Sequence, residues 1–324
     1  MAARTALVTG GTGFIGRSLV DALVSSGYRV RAIGRRPVIS WRGHEGIDHI
    51  RADIAQPGVL EAALKNIQVV FHLAAATSGD QDYYHRVTVE ATERLLNRIA
   101  ACGGRVVILS SASIYDGEAM ADAGILDEDF PLERNPAARG LYAQAKTQSE
   151  LCSHRYLNHP KVRLTIVRPG LVYGPRSRNV LNGAALTVRG KLLITTGTPS
   201  KLLPLIYIDD LTDALVLIAK DDRAIGRIYN FAHRKMPSVR QFLQAYRELS
   251  RDWRPMFDVP LPKLIPLFSA LDKLSGLLGR NSNYVYSVRR LASAATLSSE
   301  RIRRELGIEA RIGFREGLEK IFHN

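Results

Sequence analysis

Thr9-Gly10-Gly11-Thr12-Gly13-Phe14-Ile15-Gly16 sits between a short apolar strand pattern, Ala6-Leu7-Val8, and a helix-periodic run carrying Leu19, Val20 and Leu23. Strand, glycine turn and helix in that order make an anion cradle. Gly10 permits the tight turn, Gly13 lets the backbone approach a pyrophosphate, and Gly16 allows the helix to pack closely on the strand. The backbone from Thr12 through Phe14, Ile15 and Gly16 then offers the orphan N–H groups of a helix N-terminus. A lone glycine triplet is a weak signal; the strand before it and the helix after it turn this one into a dinucleotide fingerprint.

Outward from that turn, short β-branched runs alternate with longer helix-periodic segments: Tyr28 to Ile33, Val69-Val70-Phe71, Val106 to Leu109 and Leu164 to Val167. Strand, helix, strand at this spacing predicts parallel pairing with right-handed crossovers, an α/β fold with a Rossmann-type doubly wound sheet. Ligands of such sheets lie beyond the carboxyl ends of the strands, so the chemistry is expected just after each run. Past Pro175 the alternation loosens, and Gly-, Pro- and Leu-rich stretches separate helical segments such as Ser238 to Leu249 and Ser299 to Leu306. The expected division is a dinucleotide-binding domain over 1–175, with 205–231 returning to it, and a smaller substrate lobe from 176–204 and 232–324.

An NAD site places an acid at the end of the second strand, about 20 residues past the glycines, to accept from the ribose hydroxyls. Here that strand ends Ala32-Ile33-Gly34-Arg35-Arg36. Gly34 falls where the carboxylate would stand, which removes repulsion against a 2′-phosphate, and Arg35 can meet that phosphate with planar N–H groups. NADP is therefore expected over NAD, with Arg36 a solvated loop charge. Asp53-Ile54 follows the third strand, where Asp53 either faces the adenine edge or caps the helix around Pro57 to Leu64. His72-Leu73-Ala74-Ala75 ends the fourth strand; Leu73, Ala74 and Ala75 let a cofactor lie against the backbone, and His72 reads as structural.

Two further segments carry reactive groups: Ser110-Ser111-Ala112-Ser113-Ile114-Tyr115 after the fifth strand, and Tyr142-Ala143-Gln144-Ala145-Lys146 on a helix. Tyr142 and Lys146 share a helical face, so the ammonium is expected beside the phenol. A phenol with an ordinary pKa of about 10 is a poor base at neutral pH, and a neighbouring cation favours phenolate. Tyr142 then shuttles the proton, Ser111 hydrogen-bonds the substrate oxygen, and Lys146 also holds the nicotinamide ribose.

TGGTGFIG, SSASIY, YAQAK, RPGLVYGP (Arg168 to Pro175), IYIDDLTDA (Ile206 to Ala214) and the C-terminal LGIEARIGFREGLEKI together resemble the extended short-chain dehydrogenases, the NAD-dependent epimerase/dehydratase family. The long Leu-Pro segment before the ending looks most like the 3β-hydroxysteroid dehydrogenase and dihydroflavonol reductase branch. The resemblance implies that Ser111, four before Tyr115, is the catalytic serine, and that Arg168 to Gly174, with Pro169, Gly170 and Val172, borders the nicotinamide. It also implies a homodimer paired through the helices before and after the fifth strand. Three departures stand out. Thr88 replaces an asparagine often found there. Ala112-Ser113 replaces the Asp-Glu pair of sugar-nucleotide dehydratases, so the acid and base that dehydration needs are missing. Lys201 alone stands where many sugar-nucleotide members carry a diphosphate-gripping arginine.

Composition bounds the partners. The chain has 324 residues and a formal net charge of +14, but its Arg and Lys are scattered rather than gathered with aromatics, so nucleic acid is not expected and anionic small molecules are. Cys102 and Cys152 form no CxxC pair, which argues against a disulfide framework or metal site and for a reducing cytoplasm; no secretion signal is read. The apolar stretch Leu261 to Leu278 carries prolines and charges, so no transmembrane segment is expected. Its helical period fits packing on its own lobe, with a lid over an apolar substrate or a membrane contact as alternatives.

These readings converge on an NAD(P)(H)-dependent oxidoreductase moving a hydride between nicotinamide and a secondary alcohol or ketone on a partly apolar substrate. The alternative within the family is a sugar-nucleotide 4-epimerase or 4-ketoreductase. A non-catalytic dinucleotide-sensing regulator is the alternative of another class, though sensing needs none of Ser111, Tyr142 and Lys146.

Overall fold

Runs that are apolar on both faces, such as Ala6-Leu7-Val8 and Val106 to Leu109, need helices over both sides of their sheet. The computed structural model, which describes residues 4–117, 119–121, 124–136, 139–177, 180–181, 183–188, 190–195, 198–277, 285 and 295–323, has that arrangement. In chain order come β1 (Arg4–Thr9), α1 (Phe14–Ser25), β2 (Tyr28–Gly34), β3 (Ile47–Arg51), α2 (Val59–Ala63), β4 (Val69–His72), α3 (Gln81–Tyr84), a π-helical turn (His85–Glu90), α4 (Ala91–Cys102) and β5 (Gly104–Leu109). Then follow β6 (Ile125–Leu126), α5 (Leu141–His154), β7 (Val162–Pro169), β8 (Leu171–Tyr173), β9 (Leu186–Val188), β10 (Leu192–Thr195), β11 (Leu205–Tyr207), α6 (Ile208–Lys220) and β12 (Arg227–Phe231). The chain continues through α7 (Val239–Ser250), β13 (Met256–Asp258), α8 (Leu261–Leu277), β14 (Thr296–Leu297), α9 (Glu300–Leu306) and α10 (Phe314–Phe322).

Seven strands form one parallel sheet in the order β12-β7-β5-β4-β1-β2-β3. The chain runs outward from β1 to β3 and then returns to the other side of β1 with β4, so a crevice opens at the carboxyl ends of β1 and β4. One face of the sheet is covered by Leu19 and Leu23 of α1 and Leu211 and Leu215 of α6. The other is covered by Leu95, Leu96 and Ile99 of α4 and Ala145 of α5.

Smaller pairings lie outside that sheet: β8 with β11, β10 with β9 and with β13, and β6 with β14. Of the segment 205–231, β12 lies in the main sheet while β11 pairs with β8. Tyr173, Leu203, Phe242 and Leu318 gather a third apolar cluster there. A capping box of Ser238 and Gln241 starts α7, satisfying two otherwise orphaned backbone groups. The helical period of the Leu-rich stretch appears as α8, which contains Pro266, buries Leu264 and exposes Leu267, Leu271 and Leu274; Leu278 lies outside the described residues. Among the described residues no helix is long and apolar enough to cross a membrane.

Candidate active site

The glycine turn works through its backbone. Gly10 takes φ +71°, in the left-handed region, and a Cβ on it would stand 2.9 Å from the Ala74 nitrogen. A Cβ on Gly16 would run into the Gly10 carbonyl, so only glycine lets α1 sit this close to β1. Gly13 caps α1 from extended backbone; no side chain caps the helix and its first turn carries no acid. The positive end of α1 is thus left to an anion, which fits a dinucleotide pyrophosphate. Phe14 and Ile15 turn their side chains into apolar clusters, so only their main chain faces that end. Leu73 is partly buried and Ala74 buried, Ala75 half-buried, and the Leu73 N–H donates to the Thr9 carbonyl at 3.2 Å, holding the end of β4 against the turn.

At the end of β2, Thr12 packs its side chain onto Gly34, so any side chain at position 34 would collide with it. Arg35 is exposed; its Nη1 donates to the Tyr83 hydroxyl, and its guanidinium stands 5.3 Å from that ring's centroid. Tyr83 in turn donates to Asp53 Oδ2 at 2.9 Å, while Asp53 Oδ1 accepts from the Ala55 N–H at 2.9 Å. Asp53 therefore does not cap α2, whose N-cap is Gly58. The side chain of Ile54 is buried in the core and offers only its backbone. Burial first, and Asp53 second, hold the Tyr83 phenol above its ordinary value. Tyr83 escaped the sequence reading because its partners lie on other elements, far away along the chain.

Ser111, Tyr142 and Lys146 converge where β5 ends. Ser111 caps a short 3₁₀ turn, its Oγ accepting from the Ser113 N–H at 3.1 Å, and its hydroxyl stands close enough to the Tyr142 phenol to favour phenolate. Tyr142 opens 36% of its surface, though its hydroxyl lies deep among protein atoms. One turn later Lys146 is buried, and its Nζ donates to the Leu109 carbonyl at 2.7 Å. The acidified phenol expected from the sequence is not found. Desolvation holds Tyr142 above its ordinary value, Ser111 opposes that, and the lysine reaches the last carbonyl of β5 instead. Burial pushes the Lys146 amine down to about 8, with Glu150 pulling the other way.

The model of the NAD dependent epimerase/dehydratase family matches residues 6–232. The chain belongs to that family. It is an NAD(P)-dependent enzyme of the extended short-chain dehydrogenase type. It is similar to cinnamoyl-CoA reductase 1 of Oryza sativa subsp. japonica, 30% identical over 68% of this chain and 69% of the relative. It is also similar to 2-alkyl-3-oxoalkanoate reductase of Stenotrophomonas maltophilia, 26% identical over 97% of each. Among solved structures it is similar to MoeE5 in complex with UDP-glucuronic acid and NAD, with a TM-score of 0.75, 26% identity and 98% of each chain covered.

Within this epimerase/dehydratase chain several residues have structural duties. His72 is held between the Thr9 hydroxyl at 2.8 Å and the Thr92 hydroxyl at 2.9 Å, and burial with the nearby Lys146 charge pushes it down to about 3, so it is neutral. Thr88 accepts the Ala76 N–H at 3.0 Å from within the π turn and secures the chain after β4. Arg168 opens the stretch expected along the nicotinamide, and its side chain is turned into the core. It is fully buried, turned inward onto Glu150, the Tyr115 hydroxyl at 2.9 Å and the Glu128 carbonyl at 3.0 Å, because a guanidinium in the core needs a carboxylate and several acceptors. Pro169 is buried, Gly170 and Val172 are half-buried, and Gly170 leaves room for the Pro204 carbonyl. Cys102 and Cys152 are free thiols, and no metal-ligating group of His, Cys, Asp or Glu occurs among the described residues.

Proposed function

We propose that the protein is an NADPH-linked ketone reductase, or the reverse alcohol dehydrogenase, acting on a partly apolar secondary alcohol or ketone. The observation that carries this reading is the gathering of Ser111, the Tyr142 phenol and the buried Lys146 amine at the end of β5, on the same sheet edge as the glycine cradle. When bound, the dinucleotide supplies or accepts the hydride. Tyr142, kept protonated by burial, donates its proton to the carbonyl oxygen during reduction, and Ser111 hydrogen-bonds the same oxygen. Lys146 holds the ribose and the charge beside the phenol. The backbone of Gly10, Gly13 and Gly16 holds the pyrophosphate, and Leu73 to Ala75 with Pro169, Gly170 and Val172 borders the ring end.

NADP is preferred to NAD in this reading. Thr12 closes the place where a ribose-binding carboxylate would project from position 34, and Arg35, held through Nη1 on Tyr83, has its other N–H groups to offer a 2′-phosphate. Residues 1–175 with 205–231 serve the dinucleotide, and 176–204 with 232–324 receive the substrate. The two free thiols suit a reducing cytoplasm, and α4 with α5 is the pairing face of a homodimer.

A second reading, a sugar-nucleotide 4-epimerase, is favoured by the likeness to MoeE5 with its UDP-glucuronic acid. It predicts NAD retained through purification and isomerisation without added cofactor. The first reading is tested by nicotinamide absorbance with NADPH and 2-alkyl-3-ketoacids: Tyr142→Phe is expected to bind NADPH normally and lose at least ~10²-fold in kcat. Equal turnover by wild type and variant would refute it.

A further inference from the structure

Glu150 lies one helical turn beyond Lys146 on α5 and is 1% exposed. A carboxylate persists in such a place only with strong compensation. Its Oε1 accepts from Arg168 Nε at 2.8 Å and from Arg168 Nη2, with His154 Nε2 at 3.2 Å; the Ser110 hydroxyl lies beside it. Its Oε2 takes no part in the arginine pair. A carboxylate serving only to neutralise an arginine would normally meet the guanidinium fork with both oxygens. Here one oxygen is left over, and a buried ammonium follows the same helical face at the i,i−4 position.

The surroundings of Lys146 make this spacing consequential. From β4 it is faced by His72, which is neutral; from β5 by the Leu109 carbonyl; and from its own helix by Glu150, with Tyr142 one turn before it. Arg168 of β7 and His154 stand behind Glu150. Glu150 is thus the carboxylate that acts on the amine. We infer that Glu150 is a positioning residue for the reaction: its buried carboxylate keeps the Lys146 amine charged beneath the Tyr142 phenol. The inference rests on the reading of Tyr142 and Lys146 as the reacting pair.

Burial alone drives Lys146 downward, and Glu150 is the opposing influence that leaves it at about 8. With Glu150→Gln the desolvation is unopposed, and the bared Arg168 charge pushes in the same direction. The amine then loses its proton at lower pH.

The test is a lysine-selective ¹³C NMR titration of the ligand-free full-length protein, with Lys146 assigned through Lys146→Met. It is paired with the pH dependence of kcat/KM for NADPH-linked reduction of a 2-alkyl-3-ketoacid. The wild-type amine is expected to titrate at about 8, with activity falling through the same pH. In Glu150→Gln both midpoints should move down by about one pH unit or more. Glu150→Asp should recover part of the shift. Should Glu150→Gln fold poorly, the double variant Glu150→Gln/Arg168→Met leaves no bare buried charge and should still titrate below wild type, by a smaller amount. An unmoved Lys146 midpoint in a folded variant, with kcat/KM lost uniformly across pH, overturns the inference. If the activity limb survives Lys146→Met, the parent reading of Lys146 fails and this one with it; if that limb vanishes yet Glu150→Gln leaves the midpoint in place, only the role of Glu150 fails.

Discussion

Tyr83 and Gly34 govern, side chain by side chain, what the end of β2 can hold. Gly34 was legible as a missing acid, but its steric reason was not: the side chain pressed against it belongs to Thr12, inside the glycine turn. Tyr83 joins Arg35 to Asp53 and holds the guanidinium over its ring. A fixed guanidinium loses less rotamer freedom when it meets a phosphate, so the tyrosine should assist NADPH more than NADH. Tyr83→Phe is expected to raise the Kd for NADPH roughly tenfold, the ~1.4 kcal/mol of one hydrogen bond to a charged group, and to leave that for NADH nearly unchanged. Fluorescence titration of both nucleotides checks this, and equal weakening of the two would count against it. Tyr142 and Lys146 were singled out by residue type and spacing, and Ser111 by the family resemblance. What spacing could not supply was the lysine's actual acceptor, the Leu109 carbonyl, because that depends on how α5 lies on the end of β5.

Among the elements, α1 acts through the one face that touches β1. Gly16 contacts the Gly10 carbonyl so closely that a methyl group would lift the helix and carry its N–H groups away from the anion. Gly16→Ala should therefore weaken NADPH and NADH alike, at least tenfold or ~1.4 kcal/mol, which separates it from Tyr83→Phe in the same titration. The strands of the main sheet were readable because burial on both faces demands continuous apolar runs. The π turn at His85–Glu90 was not: Val87, Thr88 and Val89 are buried in succession, and that succession fits neither helical nor strand period. The short β8 to β11 strands were hidden for a related reason, since each gains its pairing from a neighbour rather than from its own pattern.

Across the whole molecule, Arg168 ties together parts of the chain that the sequence keeps apart. It joins β7 to Glu150 of α5, to Tyr115 after β5 and to the Glu128 carbonyl; Tyr115 also bonds Asn230 of β12, and Glu128 pairs with Arg301 of α9 at 3.4 Å. Arg168→Met strands the Glu150 carboxylate in the core and should destabilise the fold by ~3–5 kcal/mol, read as a lower denaturation midpoint, with Glu150→Gln/Arg168→Met recovering much of the loss. By itself the sequence determined the parallel sheet and the glycine turn and pointed to Ser111, Tyr142 and Lys146 as candidates, because each is written in residues adjacent in the chain or one turn apart. The tertiary structure alone decided that Arg168 is a core cation, that Tyr83 holds Arg35 and that Lys146 lies beside a buried carboxylate and a strand-end carbonyl. A hydrogen bond or a desolvation depends on which distant segments exclude water from a group, and local periodicity carries no record of those neighbours.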